Sequence, residues 1–319
     1  MNLASCSAPA RVDLSGGVAD IFGGCTVSVA ISLRARCTVA PTPGKTGIIL
    51  NGTWHDLHGE PLPGQALITA VARSCGAQDL TFSYTTDIPP SSGLGGSASL
   101  AVSAMAVIHH ARGVRISPYD LAEQAQRVET TGMGLVNGYQ DQYAAVFGSC
   151  LYLDFEGKAN KPLGQEPYAV VERHVFPFPL VVAHTGTSHS AGDANAAVVS
   201  RYEAGDTTVR SSISRLNALT RALRTALIRS DYATICEVVN ENQAHIRAFG
   251  RSYPENEALI GAALDAGADA AKVTGAGCGG SIAALCRTED EAASVAAALA
   301  ETSPFVRVCQ SDRGVRPHD

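Results

Sequence analysis

The chain has 319 residues, enough for one large domain or two moderate ones with real cores. Hydrophobic residues make up 45% and charged residues 17%, a globular balance, and a formal net charge of −6 disfavours a nucleic-acid partner. An anionic small substrate stays open, because a few local donors can hold a phosphate against an acidic average.

No apolar run approaches the roughly 18 residues of a spanning helix. Met1 to Arg11 lacks a signal-peptide pattern, so no membrane partner is expected. Nine scattered cysteines without a C-x-x-C pair read as reduced thiols in a cytoplasmic protein.

In chain order, Val27 to Val39 is β-branched and small, predicting one or two strands. Turn signals at Pro41-Thr-Pro-Gly44 and Asn51-Gly52 predict a hairpin over Thr38 to Leu57. A short helix is expected at Ala66 to Cys75, and a strand at Leu80 to Thr85. A glycine–serine loop, Ser91 to Ser97, then opens the helix Ala98 to Ala111. Ser117-Pro118 starts a helix running to about Glu129. A second glycine loop, Thr131 to Gly138, leads to a short helix near Asp141 to Val146, and Cys150 to Phe155 reads as a strand. The polar stretch Glu156 to Pro167 suggests a division into residues 1–170 and 171–319. In the second part a strand is expected at Leu180 to His184, with helices at Thr207 to Ser230, Tyr232 to Phe249 and Glu257 to Ala266. Strand, glycine loop and strand follow over Ala271 to Leu285. Thr288 with Glu291 is a capping box opening a helix to Ala300, and Phe305 to Gln310 is the last strand. Strands and helices interleave without a repeating period, which favours an α+β fold.

The sharpest motif is Pro89-Pro-Ser-Ser-Gly-Leu-Gly-Gly-Ser-Ala-Ser99, between an expected strand and helix. Its glycines let the backbone approach a ligand, and its amides with the helix N-terminus behind them form an anion cradle. It is not a Walker A loop, since no Gly-Lys-Ser/Thr follows. A flexible turn is the competing account of that loop alone. Two further segments weigh against it: Ala8-Pro-Ala-Arg-Val-Asp-Leu-Ser-Gly-Gly-Val-Ala-Asp20, and Lys272-Val-Thr-Gly-Ala-Gly-Cys-Gly-Gly-Ser281.

These three segments, in this order, resemble the three signature motifs of the GHMP kinases. A fourth, Gly134-Leu-Val-Asn-Gly-Tyr-Gln-Asp-Gln-Tyr143, is similar to the segment bearing the catalytic aspartate of the family's sugar kinases. The resemblance implies a GHMP kinase fold, with a ribosomal-protein-S5-like N-terminal domain and a ferredoxin-like C-terminal one. It implies ATP and Mg²⁺ as cofactors, with a homodimer left open. The phosphate loop it implies is Pro90, Ser91, Ser92, Gly93, Leu94, Gly95, Gly96, Ser97, Ala98 and Ser99.

By the same resemblance Asp141 faces the accepting hydroxyl, where a carboxylate can orient it and take its proton, and Arg11 sits beside Asp141. Ser97 and Glu129 match the metal ligands; Glu123 is the alternative on the same helix, and reads better as a solvated charge. Gly275, Gly277 and Gly279 belong to a loop that closes against the phosphate loop, with Cys278 as a small filler. Asp20, with Gly17 and Gly138, is matched to sugar contacts. His184, His189, Asn242 and His245 are further candidates for polar groups in the pocket.

Arg11 to Asp20, Gln140 to Gly148 and His184 to Ser188 most resemble the L-fucokinase and D-glycero-D-manno-heptose-7-phosphate kinase branch, which phosphorylates the anomeric hydroxyl. A shorter stretch between Asp20 and Gly23 departs from that branch beside the sugar pocket, so the sugar stays unnamed. Rival readings are a mevalonate- or amino-acid-type kinase, a decarboxylase relative that also uses ATP, and a non-catalytic ATP/sugar sensor. The sensor has no need to keep Arg11, Ser97, Glu129 and Asp141 together.

Overall fold

The computed structural model describes residues 3–62, 64–159, 161–162, 165–187 and 191–318. The chain runs β1 (Ala4–Ser15), a 3-10 turn (Gly17–Phe22), β2 (Cys25–Pro41), β3 (Gly47–Leu50), β4 (Thr53–Asp56), α1 (Ala66–Ser74) and β5 (Leu80–Thr86). Next come α2 (Gly96–Ala111), α3 (Pro118–Arg127), a π-helical turn (Val128–Gly132), α4 (Gln140–Phe147), β6 (Cys150–Asp154), β7 (Val170–His174) and β8 (Leu180–His184). The remainder is α5 (Ala191–Glu203), α6 (Thr207–Arg229), α7 (Tyr232–Ala248), α8 (Pro254–Asp265), β9 (Ala270–Val273), β10 (Ser281–Leu285), α9 (Glu289–Leu299), β11 (Phe305–Cys309) and β12 (Arg316–His318).

The larger sheet has the order β12-β1-β2-β5-β3-β4, and the first half of β2 pairs with β6, which pairs with β7. The smaller sheet, β11-β8-β10-β9, is antiparallel throughout, the strand order of a ferredoxin-like unit. Along β6, Leu151 and Leu153 join one core with α2, while Cys150 and Tyr152 join another with α6 and α7. A sheet covered on both faces needs apolar residues at every position, so β6 reads as a continuous run. The second core also takes Leu180, Val182, Ala283 and Leu285 from the smaller sheet, so the two sheets share it.

Several expectations change here. The hairpin turns at Asn51-Gly52 but joins only β3 and β4, because β5 inserts between β2 and β3. Phe305–Cys309 is not the last strand, since β12 returns to pair with β1. Residue 170 is the first residue of β7, so the larger sheet extends to His174 and reclaims Arg316–His318. The polar stretch before it is anchored rather than loose: Lys158 is buried and donates to Glu123 at 2.8 Å and to the carbonyl of Pro167 at 2.9 Å. Glu123 is therefore no solvated charge. It is buried and also accepts from the Tyr143 hydroxyl at 2.6 Å.

A strand irregularity lies beside the site. The β1–β2 register shifts between Pro9 and Ala10. Before it, even-numbered Cys6 and Ala8 pack with α2; after it, even-numbered Ala10, Val12 and Leu14 pack in the other core. The shift leaves Ser32 and Leu33 of β2 without partners on β1 and keeps the alternation of faces; just past it the Arg11 amide donates to the Leu94 carbonyl at 3.0 Å, which brings β1 against the loop that opens α2.

Candidate active site

A cavity of about 750 Å³ opens where β1, the N-terminus of α2, the π-helical turn, α4 and the β9–β10 loop converge. Arg11 and Asp141 meet at its wall. Arg11 Nε donates to Asp141 Oδ1 at 2.7 Å and Nη2 to Oδ2 at 2.8 Å, a two-pronged ion pair. The third arm, Nη1, donates to the carbonyl of Gly93 at 2.5 Å, tying the pair to the phosphate loop. Burial works against the Arg11 charge, but Asp141, Asp13 and Asp20 outweigh it and raise its pKa. The Asp141 side chain stays 30% exposed, against 5% for Arg11, and is the member of the pair more open to the cavity.

The phosphate loop enters α2 through Gly95, in the left-handed region with φ 73°, and no side chain caps the helix. The amides of the first turn are thus free for an anion, which the helix dipole favours. Pro90, Ser91, Ser92, Gly93, Gly95, Gly96, Ser97 and Ala98 line the cavity. Leu94 and Ser99 do not. Leu94 is fully buried in the core, and the Ser99 hydroxyl donates to the carbonyl of Pro9 at 2.7 Å, seating α2 on β1.

Across from this loop, Asp20 is buried, and its Oδ2 accepts from the amides of Tyr139 at 2.7 Å and Gln140 at 3.0 Å. Burial pushes its carboxyl up to about 6, with those amides pulling against the rise and the Asp141 charge adding to it. Gly17 and Gly138 line the cavity beside it. Glu129 lies in the π-helical turn, buried, hydrogen-bonded by Ser97 and by Gln142 Nε2. Burial and the nearby Asp141 push Glu129 up to about 7, against the pull of Ser97, Gln142 and Arg11. Glu123, by contrast, is held by Lys158 and Tyr143 away from the cavity.

The glycine loop after β9 divides its contacts. A Cβ on Gly275 would stand 2.3 Å from the carbonyl oxygen of Gly93, so this glycine lets two backbones touch. Gly277 packs on Arg251 and Gly279 on Thr187 instead. Asn242 and His245 lie off the cavity, as does His184, whose Nδ1 accepts from the Gly186 amide at 2.8 Å. Ser188 and His189 lie outside the described residues.

Sequence reasoning missed the fastening between the sheets. Lys272 Nζ donates to Asp13 Oδ2 at 2.6 Å, and Asp13 Oδ1 accepts from the Thr274 hydroxyl at 3.0 Å and the Gly275 amide at 2.6 Å. Burial opposes ionisation of Asp13, but Lys272 and Arg11 outweigh it and hold its pKa below the usual range. A charge inside each of two apolar strands was the available signal; the pairing was not. Asn137, Asn195 and Arg251, also on the cavity wall, were passed over.

Free amides at a helix N-terminus, facing a carboxylate gripped by a guanidinium across one cavity, are the parts of a phosphotransferase. The chain belongs to the GHMP kinase family: the model for the GHMP kinases N terminal domain matches residues 64–149, and that for GHMP kinases C terminal matches residues 223–304. It is 25% identical over 301 residues to D-glycero-alpha-D-manno-heptose 7-phosphate kinase of Campylobacter jejuni, covering 85% of this chain and 86% of that one. A mevalonate kinase of Methanothermobacter thermautotrophicus is 27% identical over 289 residues, covering 88% and 90%. The fold is also that of Lactococcus lactis galactokinase complexed with galactose, with a TM-score of 0.80 at 18% identity over 98% and 95% of the two chains.

Proposed function

We propose that the protein transfers the γ-phosphoryl group of ATP to the anomeric hydroxyl of a sugar or sugar phosphate, with a heptose 7-phosphate among the candidates. The observation that carries this reading is the two-pronged Arg11–Asp141 pair, set between the phosphate loop and Asp20 in one cavity. Asp20 supports a polyol acceptor, because a buried carboxylate beside Asp141 suits several hydroxyl donors. Nine free thiols support a reducing, cytoplasmic setting.

Phosphoryl transfer is mostly positioning and electrostatics. The amides from Ser91 to Ala98 bind the phosphate chain at the helix N-terminus. Arg11 fixes both oxygens of Asp141 and places positive charge where the transferring group becomes most anionic. Asp141 orients the hydroxyl and receives its proton as the new O–P bond makes that proton acidic.

Glu129 and Ser97 fit a magnesium ion. They offer adjacent hard oxygen donors on the cavity wall, and the described residues hold no cluster of three or more His, Cys, Asp or Glu side chains. Mg²⁺ takes one or two carboxylates and draws its other ligands from phosphates and water. Bound there, it would neutralise phosphate charge.

The near-equal identity to a mevalonate kinase favours a second reading, an acyclic alcohol acceptor in the same site. A panel of free and phosphorylated sugars, with mevalonate included, separates the two when product is read by phosphorus NMR. Coupling between phosphorus and the anomeric proton is expected. Phosphate on a primary exocyclic hydroxyl, or only on mevalonate, would overturn the sugar 1-kinase reading.

A further inference from the structure

Four cationic side chains are buried among the described residues: Arg11, Lys158, Arg251 and Lys272. Three of them hold a carboxylate, respectively Asp141, Glu123 and Asp13. Arg251 is in ion-pair contact with none among the described residues. Its Nη2 donates to the amide oxygen of Asn195 at 3.0 Å, and its Nε is buried with no partner. Burial lowers its pKa, against Cys278, Asp13 and Asp20, which raise it. A guanidinium keeps its proton in proteins, so this charge stays on, with Asp13 and Asp20 acting from a distance and no anion in contact.

The glycine loop after β9 holds Arg251 at its backbone carbonyl. Its carbonyl accepts from the Cys278 amide at 2.9 Å, and a Cβ on Gly277 would stand 2.2 Å from that oxygen. Its neighbours point to the acceptor end of the cavity. Asn195 donates to the carbonyl of Val136 at 2.9 Å, and Val136 and Asn137 lead into Gly138, which is pressed against Asp20. Arg251, Asn195, Asn137 and Asp20 all line the same cavity, while Ser97 and Glu129 lie on its phosphate-loop side.

We propose that Arg251, with Asn195, binds an anionic substituent of the acceptor, so that the substrate already carries a phosphate or a carboxylate. This rests on the kinase reading above and narrows it. Asp20 receives hydroxyls, and Arg251 offers a planar donor edge to an anion placed farther from Asp141. A neutral sugar would leave the Arg251 charge buried and unmatched, which is a means of rejecting it.

The test uses matched acceptors with ATP: a hexose and its 6-phosphate, a heptose and its 7-phosphate, and a hexose with its uronic acid. The wild-type protein should favour the anionic member by at least about tenfold in kcat/KM, the size of one charge-assisted contact. Arg251→Gln should remove that preference by raising the KM for the anionic member, with the KM for ATP unchanged, and Arg251→Lys should restore part of it. The phosphate and the uronate arms separate the two sources of charge. Preference for the neutral member would overturn the proposal, as would equal losses on both members in a folded Arg251→Gln protein. A rise in the KM for ATP alone would overturn it too, by assigning Arg251 to the nucleotide. Should Arg251→Gln fail to fold, the wild-type preference and the Arg251→Lys variant decide. If no sugar is phosphorylated but mevalonate is, the sugar reading fails by itself. Arg251 is then judged by mevalonate against its uncharged methyl ester.

Discussion

Gly138→Ala isolates the placement of Asp20 without touching its charge. A Cβ at residue 138 would lie 1.9 Å from Asp20 Oδ2 and 2.2 Å from Cγ, with no backbone strain involved. Contacts under 3.0 Å do not survive, so the carboxylate or the loop must withdraw by about 1 Å. That withdrawal breaks or lengthens the bonds from the amides of Tyr139 and Gln140, at 2.7 and 3.0 Å. A hydrogen bond to a charged group is worth about 1.5–3 kcal/mol net, and re-formation in the shifted geometry recovers part of two such bonds. A loss of about 2–3 kcal/mol in acceptor recognition corresponds to roughly 30- to 150-fold in kcat/KM.

The assay is steady-state ADP release with acceptor varied, alongside ATP varied at saturating acceptor. The acceptor kcat/KM should fall by that factor while the KM for ATP holds. Repeating the change in an Asp20→Ala background should show almost no further loss, because the two residues act through one contact. Wild-type acceptor kinetics in Gly138→Ala would refute the reasoning that Asp20 must sit where it does. Full additivity of the two changes would refute it equally.

Asp141→Asn should lower kcat at least about 10²-fold with ATP binding retained, since orientation and proton acceptance are lost together; near-wild-type turnover would remove Asp141 from the reaction. Glu129→Gln should raise the Mg²⁺ concentration giving half-maximal rate, since one hard charged ligand is gone, and an unchanged Mg²⁺ titration would remove Glu129 from the metal. Asp20 is raised by burial to about 6 from an ordinary 3.8, so the folded protein holds that proton more tightly than the unfolded chain. Its contribution to stability is therefore full below about 3.8 and is lost as pH rises through about 6. Binding runs the other way, because the ionised form accepts hydroxyls, so the acceptor KM should rise as pH falls below about 6. Asp20→Asn should flatten both profiles, as read by thermal unfolding and by KM against pH.

The elements that could be read from the sequence are those whose signals are local. Ser117-Pro118 opens α3 with the Ser117 side chain accepting from the Asp120 amide, and Thr288 with Glu291 closes its capping box at α9. The glycine motifs could be read for the same reason, since Gly93 and Gly275 are needed where two backbones meet. What the sequence did not show is what depends on pairing between distant segments. The insertion of β5 between β2 and β3 leaves no mark on the hairpin itself. β12 is three residues long, and its place beside β1 is set by tertiary packing.

Charge in an apolar context marks the boundary between these two kinds of information. Asp13, Glu123, Lys158, Arg251 and Lys272 are all buried, yet in the sequence each is one charged letter. A buried ion needs a partner, and breaking a buried pair costs about 3–5 kcal/mol, so each such residue implies a second one whose position only the fold supplies. Asp13 and Lys272 resolve into a bond joining β1 to β9, and Asp13 also accepts from the Gly275 amide of the loop that follows, where Gly275 meets Gly93 of the phosphate loop. Glu123 and Lys158 resolve into an anchor for the polar stretch before β7. Arg251 is the one of the five that makes no ion-pair contact within the described residues, and it is also the one that lines the cavity. Where the protein's own residues leave a buried charge unmatched at a binding surface, the missing partner belongs to the ligand.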